Sequence, residues 1–378
     1  MKKNRGYLFI LLSIFQLTAF RPLLAQKIDP LSPVESNGIW IQPSASYPSV
    51  PTWGHKEGIR IGIAPTPGPR GLIRIYAPYL GHREDKMINF IAIEPITVGE
   101  EQRGFSELET SDLDQVKGKR FWSADNPECG LPLSPTSPAK GVIEVIDGVE
   151  TLSIYIFSEI FINGALPFIK IMFYENRPYE LELTTYACPG SKDLEHLILT
   201  ATMGNFARLR KLYLSNVEKT SLDLWPEYSG IHFTSHDVAP VEQMITNNKG
   251  NAYFIAEPDE DDPVHVEYAP GTKENWMYYG EKATQYWYAP DPDPELKGLV
   301  NGRYTYWASE SPIPGGISFE NFELKSPFKN GEKFVFGIVP LPASEFIKVI
   351  TQDGQVSGCP ELITSEGLIS NMDSSRDN

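Results

Sequence analysis

The dominant period along the chain is two. Gly58-Ile59-Arg60-Ile61-Gly62-Ile63 alternates polar or small with apolar positions, and Leu72–Tyr76 does the same after a Pro/Gly-rich break. Met87–Ile96 is longer and more continuously apolar, as an inner strand requires. Val142–Asp147, Thr151–Phe161, Phe168–Tyr174 and Tyr179–Tyr186 continue the series, and Glu175-Asn176-Arg177-Pro178 reads as a hairpin turn between the last two. In Tyr179–Tyr186, Leu181 and Leu183 fall on one face and Glu180 and Glu182 on the other, which predicts one wet face. Further strands are expected at Leu197–Thr202, Lys211–Ser215, Gly230–Thr234, Ala252–Ala256, Val264–Tyr268, Trp276–Tyr279, Thr284–Tyr288, Gly302–Ala308, Ile317–Leu324 and Lys333–Val339. Helical periodicity is weak. Two short helices are predicted, Val238–Thr246 with Asp237 as its N-cap, and Ala343–Ile350.

About fifteen strands at short, turn-rich spacing predict an all-β fold, a large sandwich of two antiparallel sheets with one or two short helices. A propeller would repeat every 40–50 residues or so, and no such repeat is present. A βαβ fold would need long helices between the strands, and the sequence has none. The chain divides into a leader (1–25), an extended Pro/Ser-rich segment (26–58), the sandwich (59–340), and a short helix with a polar, disordered tail (341–378).

The leader changes the reading of compartment. Lys2, Lys3 and Arg5 precede an apolar run from Tyr7 to Phe20, and Leu23-Leu24-Ala25 ends it, which is the pattern of a secretory signal cleaved after Ala25. The run is too short, and too soon broken by Arg21 and Pro22, to serve as a membrane span. A periplasmic or secreted protein is expected. The 378 residues carry 33 basic and 49 acidic side chains, a net charge of −16. Losing the leader moves this to about −20, which excludes a nucleic-acid binder, since that needs a dense basic face. Export permits disulfides, and Cys129, Cys188 and Cys359 allow three pairings of which at most one forms.

The 7 Trp, 18 Tyr and 19 Phe are unevenly spread. Residues 276–307 hold the densest aromatic stretch, with Trp276, Tyr279, Trp287 and Trp307 interleaved with Lys282, Gln285 and Arg303. Flat rings beside hydrogen-bonding groups suit a sugar-binding cleft, and these seven residues are its candidate contacts. A second group, His55 and Arg60 followed by Arg74 and Tyr76, offers cations and proton carriers near strand ends. A third lies in Ser229-Gly230-Ile231-His232-Phe233-Thr234-Ser235-His236-Asp237. On a straight strand its two histidines stand about 13 Å apart, too far to share a metal, and His236 is the acid/base candidate. Glu94, Glu107, Glu109, Glu320 and Glu323 are the least loop-like carboxylates. The run from Glu257 to Asp262 has oxygen ligands suited to a structural calcium but lacks the EF-hand glycine and terminal glutamate, so it reads as a solvated acidic turn. No other cofactor is expected.

Over roughly residues 55–340 this architecture, with its scattered His, Arg, Tyr and Glu, resembles the galactose-mutarotase-like supersandwich group, which includes several polysaccharide lyases. That group's pattern of a His followed closely by an aromatic-Asn-Leu stretch is not present; Gly230–Pro240 is the nearest segment and departs from it. The resemblance implies an exported carbohydrate-active protein with an oligosaccharide or polysaccharide partner. Lyase-type elimination at a uronic acid is the first expectation, with Arg60 or Arg74 neutralising the carboxylate and His55, His236 or Tyr76 moving protons. A glycoside hydrolase using two of the glutamates is the alternative. A non-catalytic glycan binder using the 276–307 aromatics is another.

Overall fold

The computed structural model describes residues 38–351 except 44–50, 64–68, 83–85, 131–137, 205–206, 229–231, 259–261, 267, 269, 273–276, 279 and 305–316. The expected signal peptide, the polar tail with Cys359, and most of the acidic run after Pro258 lie outside the described residues. In chain order the elements are β1 (Trp40–Ile41), β2 (Thr52–His55), β3 (Arg60–Ile63), β4 (Leu72–Tyr76), β5 (Met87–Thr97), β6 (Phe121–Ala124) and β7 (Val142–Ile146). Next come β8 (Val149–Ser158), β9 (Pro167–Tyr174), β10 (Arg177–Ala187), β11 (Leu194–Thr202), β12 (Leu209–Tyr213), β13 (Glu218–Thr220) and α1 (Ser221–Leu224). The remainder are β14 (Asp237–Pro240), β15 (Ile245–Thr246), β16 (Ala252–Pro258), β17 (Thr284–Ala289), β18 (Lys297–Tyr304), β19 (Ile317–Pro327), β20 (Glu332–Val339) and α2 (Ala343–Thr351).

The strands form two large antiparallel sheets, as the period-two pattern predicted. One is nine-stranded, in the order β1-β2-β3-β4-β5-β11-β19-β18-β14. The other is eleven-stranded, β13-β12-β16-β17-β20-β10-β9-β8-β6, with β15 on β16 and β7 on β8. The core lies between them. Ile73, Ile91, Leu199 and Phe322 from the first sheet meet Ile154, Ile171, Leu183, Phe254, Trp287 and Phe336 from the second. Phe254 stacks on Phe322 across the interface with ring centres 4.8 Å apart, and Trp287 Nε1 donates to the Phe322 carbonyl. A buried Asn89 Nδ2 donates to Gln285 Oε1 at 2.6 Å, a second polar link between the sheets.

The expected sites of α2 and of most strands match the observed elements within a residue or two; the described part of Gly230–Thr234 is not a strand, β18 starts five residues ahead of the expected Gly302, and further details differ. Val238–Thr246 is not a helix. It is β14, one 3₁₀ turn and β15, because Pro240 cannot occupy a helix interior and β18 offers a ladder partner. Of the strand expected at Val264–Tyr268, the first two residues lie instead in a 3₁₀ turn at Pro263–His265. The segment assigned as an extended cover supplies β1 and β2, and Trp53 is fully buried. The wet face expected on β10 is absent: Glu180 accepts from Tyr286 and faces Arg177, while Glu182 accepts from Tyr174 and pairs with Lys333. α2 covers part of that same sheet face, setting Phe346 4.4 Å from the Tyr286 ring.

Elsewhere on this outer face the cross-strand register aligns Trp122, Phe157, Phe168 and Tyr186 in one row of stacked rings. The Cys129–Cys188 disulfide, one of the three pairings the sequence allowed, packs with this row.

Candidate active site

The outer face of the nine-stranded sheet is where carboxylates collect. Along β5, Ile91 and Ile93 enter the core, so Phe90, Ala92 and Glu94 point outward. Ala92, Thr200, Glu323 and Leu299 form one transverse row, and Glu94, Ile198, Lys325 and Lys297 form the next. β4 ends opposite Ala92 and leaves the next stretch of β5 without a partner on that side. The chain leaving β5 turns back to fill the lane: Gly104 N–H donates to the Pro95 carbonyl, Ser106 N–H to that of Ile93, and Ser106 Oγ to that of Gly71. That return places Arg103 above the glutamates.

Arg103 Nη1 donates to Glu94 Oε2 at 2.5 Å and to Glu323 Oε2 at 2.8 Å. Its Nη2 lies 3.3 Å from His236 Nε2, which is itself 3.3 Å from Glu323 Oε1. Glu323 and Glu94 are almost wholly enclosed, at 0% and 4% side-chain exposure, whereas Arg103 (17%) and His236 (27%) meet solvent. Burial pushes the Glu94 carboxyl well above the ordinary glutamate range; Arg103 opposes that shift, and Glu323 and Glu107 reinforce it. Burial also raises Glu107, against the pull of Lys117 and Arg303. Arg103 is held charged by its two carboxylates, which outweigh its own burial. At the margin, Arg303 Nη2 pairs with Glu320 Oε1 at 3.2 Å and its guanidinium lies 5.4 Å from the ring of Phe233, which is half exposed. Thr200 Oγ1, Asn301 Oδ1 and Arg303 Nε are buried here without a hydrogen-bond partner among the described residues.

The cluster thus gathers His236, Arg303 and four of the five candidate glutamates. Glu109 is used structurally, accepting from the Phe105 and Ile162 amides. Arg103 was missed. Its only sequence signal is a single cation set between Glu100-Glu101 and Glu107. The other expected residues are placed elsewhere. His55 packs edge-on against Trp40, and burial lowers its pKa. Arg60 donates to the His55 and Lys56 carbonyls. Arg74 and Tyr76 share the sheet face with the cluster but sit in β4, three strands from β19.

The aromatic stretch is largely structural among the described residues. Trp287 and Gln285 lie between the sheets, and Tyr286 and Tyr288 are buried, because β17 is paired on both edges and covered on both faces; Tyr278, ahead of β17, is buried against His82. Lys282 is half-buried ahead of β17. Trp276, Tyr279 and Trp307 lie outside the described residues. Glu257, the first residue of the acidic run, accepts from Tyr213 Oη and from the Ala343 amide that opens α2, so its oxygens serve the fold. Among the described residues no group of three or more His, Cys, Asp or Glu is arranged to hold a metal. A surface hollow of about 450 Å³ lined by Ala187–Leu194, Phe328 and Asn330 shares no residue with the cluster. No described helix is long and apolar enough to cross a membrane.

No protein-family model and no curated protein matches the chain. Among solved structures it is similar to a GH36 α-galactosidase from Geobacillus stearothermophilus in complex with raffinose, at 11% identity and a TM-score of 0.28. The match covers 79% of this chain and 40% of the α-galactosidase, so the chain spans less than half the length of that enzyme.

Proposed function

We propose that the protein cleaves glycosidic bonds in oligosaccharides at the Glu94–Arg103–Glu323–His236 cluster. One observation carries the reading: two enclosed carboxylates share a single guanidinium nitrogen, and the environment favours the protonated form of one of them. Two oxygens 2.5 and 2.8 Å from one nitrogen stand at most about 5.3 Å apart, too close for the roughly 6.5–9.5 Å of inverting glycosidases and compatible with the shorter spacing of retaining ones. Glu94 then gives its proton to the leaving glycosidic oxygen while the Glu323 carboxylate attacks the anomeric carbon. Water cleaves the resulting ester and returns a proton to Glu94. Arg103 and His236, the solvent-facing members, orient the carboxylates and line the approach. Phe233 supplies an exposed ring for a sugar face.

A lyase reading has its own support in the 3.3 Å approach of Arg103 to His236, a cation beside a proton carrier. The two separate in one assay on a panel of neutral and acidic oligosaccharides. Hydrolysis yields new reducing ends without the absorbance of an unsaturated uronate, and elimination yields both. Glu94→Gln should lower hydrolysis by about 10²–10⁴-fold while the melting curve stays near that of the parent. No product from any substrate, or a fully active Glu94→Gln chain, refutes the hydrolase.

A further inference from the structure

Two lysines face each other beside the active cluster. Lys325 of β19 and Lys297 of β18 are direct cross-strand partners, in the outward row that also holds Glu94 and Ile198. Like charges placed directly opposite on neighbouring strands destabilise a sheet. Lys170, Lys219, Lys329 and Lys333 each stand against a carboxylate, whereas among the described residues Lys297 and Lys325 have no ion-pair partner. His196 of β11 joins them. It is cross-strand to Pro327, two residues beyond Lys325, which sets it diagonal to Lys325 at about 7 Å. Burial and then the charges of Lys325 and Lys297 hold the His196 pKa down, against Glu195 and Glu295. Burial, Lys297 and Arg103 in turn weaken the hold of Lys325 on its proton, against Glu195.

These groups meet solvent. Lys297 is exposed, Lys325 and His196 are half-buried, and Arg103 keeps 17% of its side chain open. Lys325 follows Glu323 by two residues on the same face of β19, about 7 Å along the strand. A substituent on the sugar held at Glu323, or on the sugar next to it, therefore falls among the three. The chemistry of the set narrows that substituent. A lysine is a point charge with three rotatable donors, and it lacks the planar fork by which an arginine matches a carboxylate. Two ammonium groups and an imidazole around one position suit a tetrahedral oxyanion, whose several free oxygens can each take a donor.

We propose that Lys297, Lys325 and His196 form a subsite for a sulfate or phosphate ester carried by the oligosaccharide that is cleaved at Glu94 and Glu323. The proposal rests on the oligosaccharide reading of this face and adds the class of substrate. The ester places negative charge between two lysines that otherwise repel, and its oxygens accept from both. Because the chain carries a net charge of −16, capture depends on this local contact rather than on long-range attraction.

The test is calorimetric binding to the full chain carrying Glu94→Gln, which keeps the ligands intact. The probes are trimers of galactose, glucose and mannose, each unsubstituted, O-sulfated and O-phosphorylated, together with the corresponding uronate trimers. At least one sulfated or phosphorylated trimer should bind tenfold or more tighter than its unsubstituted form, and the arm in which this happens says which ester is carried. Adding Lys297→Met and Lys325→Met together should abolish that preference, leave the affinity for the unsubstituted trimer unchanged, and melt at or above the parent temperature, because two facing like charges are gone. Lys297→Glu, a change at an exposed position, should lose the same preference by reversing one charge. The proposal is overturned if no ester binds more tightly than its unsubstituted trimer, if the preference survives the double substitution or Lys297→Glu, or if the uronate trimers bind as tightly as the esters. Failure of the hydrolase reading is a separate result, read as no cleavage of any trimer by the Glu94-containing chain.

Discussion

Replacing Arg103 with Met removes the cation that Glu94 and Glu323 share and leaves two enclosed carboxyls facing each other. At a separation of about 5 Å and an effective dielectric of about 20, two negative charges repel by about 3 kcal/mol. That agrees with the roughly 3–5 kcal/mol lost when a buried ion pair is broken on one side. The loss depends on pH. Glu94 has a folded pKa raised above its unfolded value, so its contribution is fully present below the ordinary glutamate pKa and is lost as pH rises through the folded one. Arg103 is the influence that restrains this rise, and without it the penalty at neutral pH deepens. Urea unfolding of parent and Arg103→Met should therefore differ by about 3 kcal/mol at pH 6, where both chains hold the Glu94 proton and the Glu323 charge alone loses its partner, and by about 1 kcal/mol more at pH 9, where the parent ionises Glu94 and the variant does not. Adding Glu94→Gln to both chains should remove the part of the loss that grows with pH. An equal loss at both pH values, or the same growth in the Glu94→Gln background, would refute the reasoning.

Three further outcomes concern the scaffold. Phe168 stacks between Phe157 and Tyr186 at 4.8 and 5.1 Å, so Phe168→Ala should cost about 3–5 kcal/mol in urea unfolding and weaken the near-ultraviolet dichroism. The Cys129–Cys188 bridge spans a sequence separation of 59, and chain entropy assigns about 4 kcal/mol to such a loop; unfolding with and without reductant measures it. His82 is buried against Tyr278 with neither ring nitrogen bonded, and burial pulls its pKa down to about 4. Its contribution is complete above the unfolded value of 6.5 and is lost as pH falls toward 4, a drop of about 3 kcal/mol; a parent and a His82→Leu chain with the same slope between pH 7 and 4.5 would contradict this.

Much of the fold was legible residue by residue. Leu181 and Leu183 declared a core face because alternation in a strand is a local property, and helical spacing, equally local, declared Ala343–Ile350 a helix. What the other face meets is not local. Glu180 and Glu182 read as solvent-facing, yet Arg177, Tyr288 and Lys333 arrive from other positions in the sheet and enclose them. The aromatic stretch misled in the same way. Tyr286, Trp287 and Tyr288 carry identical local signals whether they line a cleft or fill a core, and α2 and the opposite sheet decided for the core.

The sequence by itself determined the all-β class, the two-sheet arrangement and the pool of carboxylates from which an active site could be drawn, because periodicity and turn chemistry act over a few residues. Only the tertiary structure decided which of them meet. Glu94 and Glu323 are separated by more than two hundred positions, and strands β5, β11 and β19 bring them beneath one arginine. Arg103 itself belongs to a return segment whose place depends on β4 ending early. Sheet order is a long-range choice that compares whole arrangements of buried surface and ladder bonds, and no short window of sequence contains that comparison.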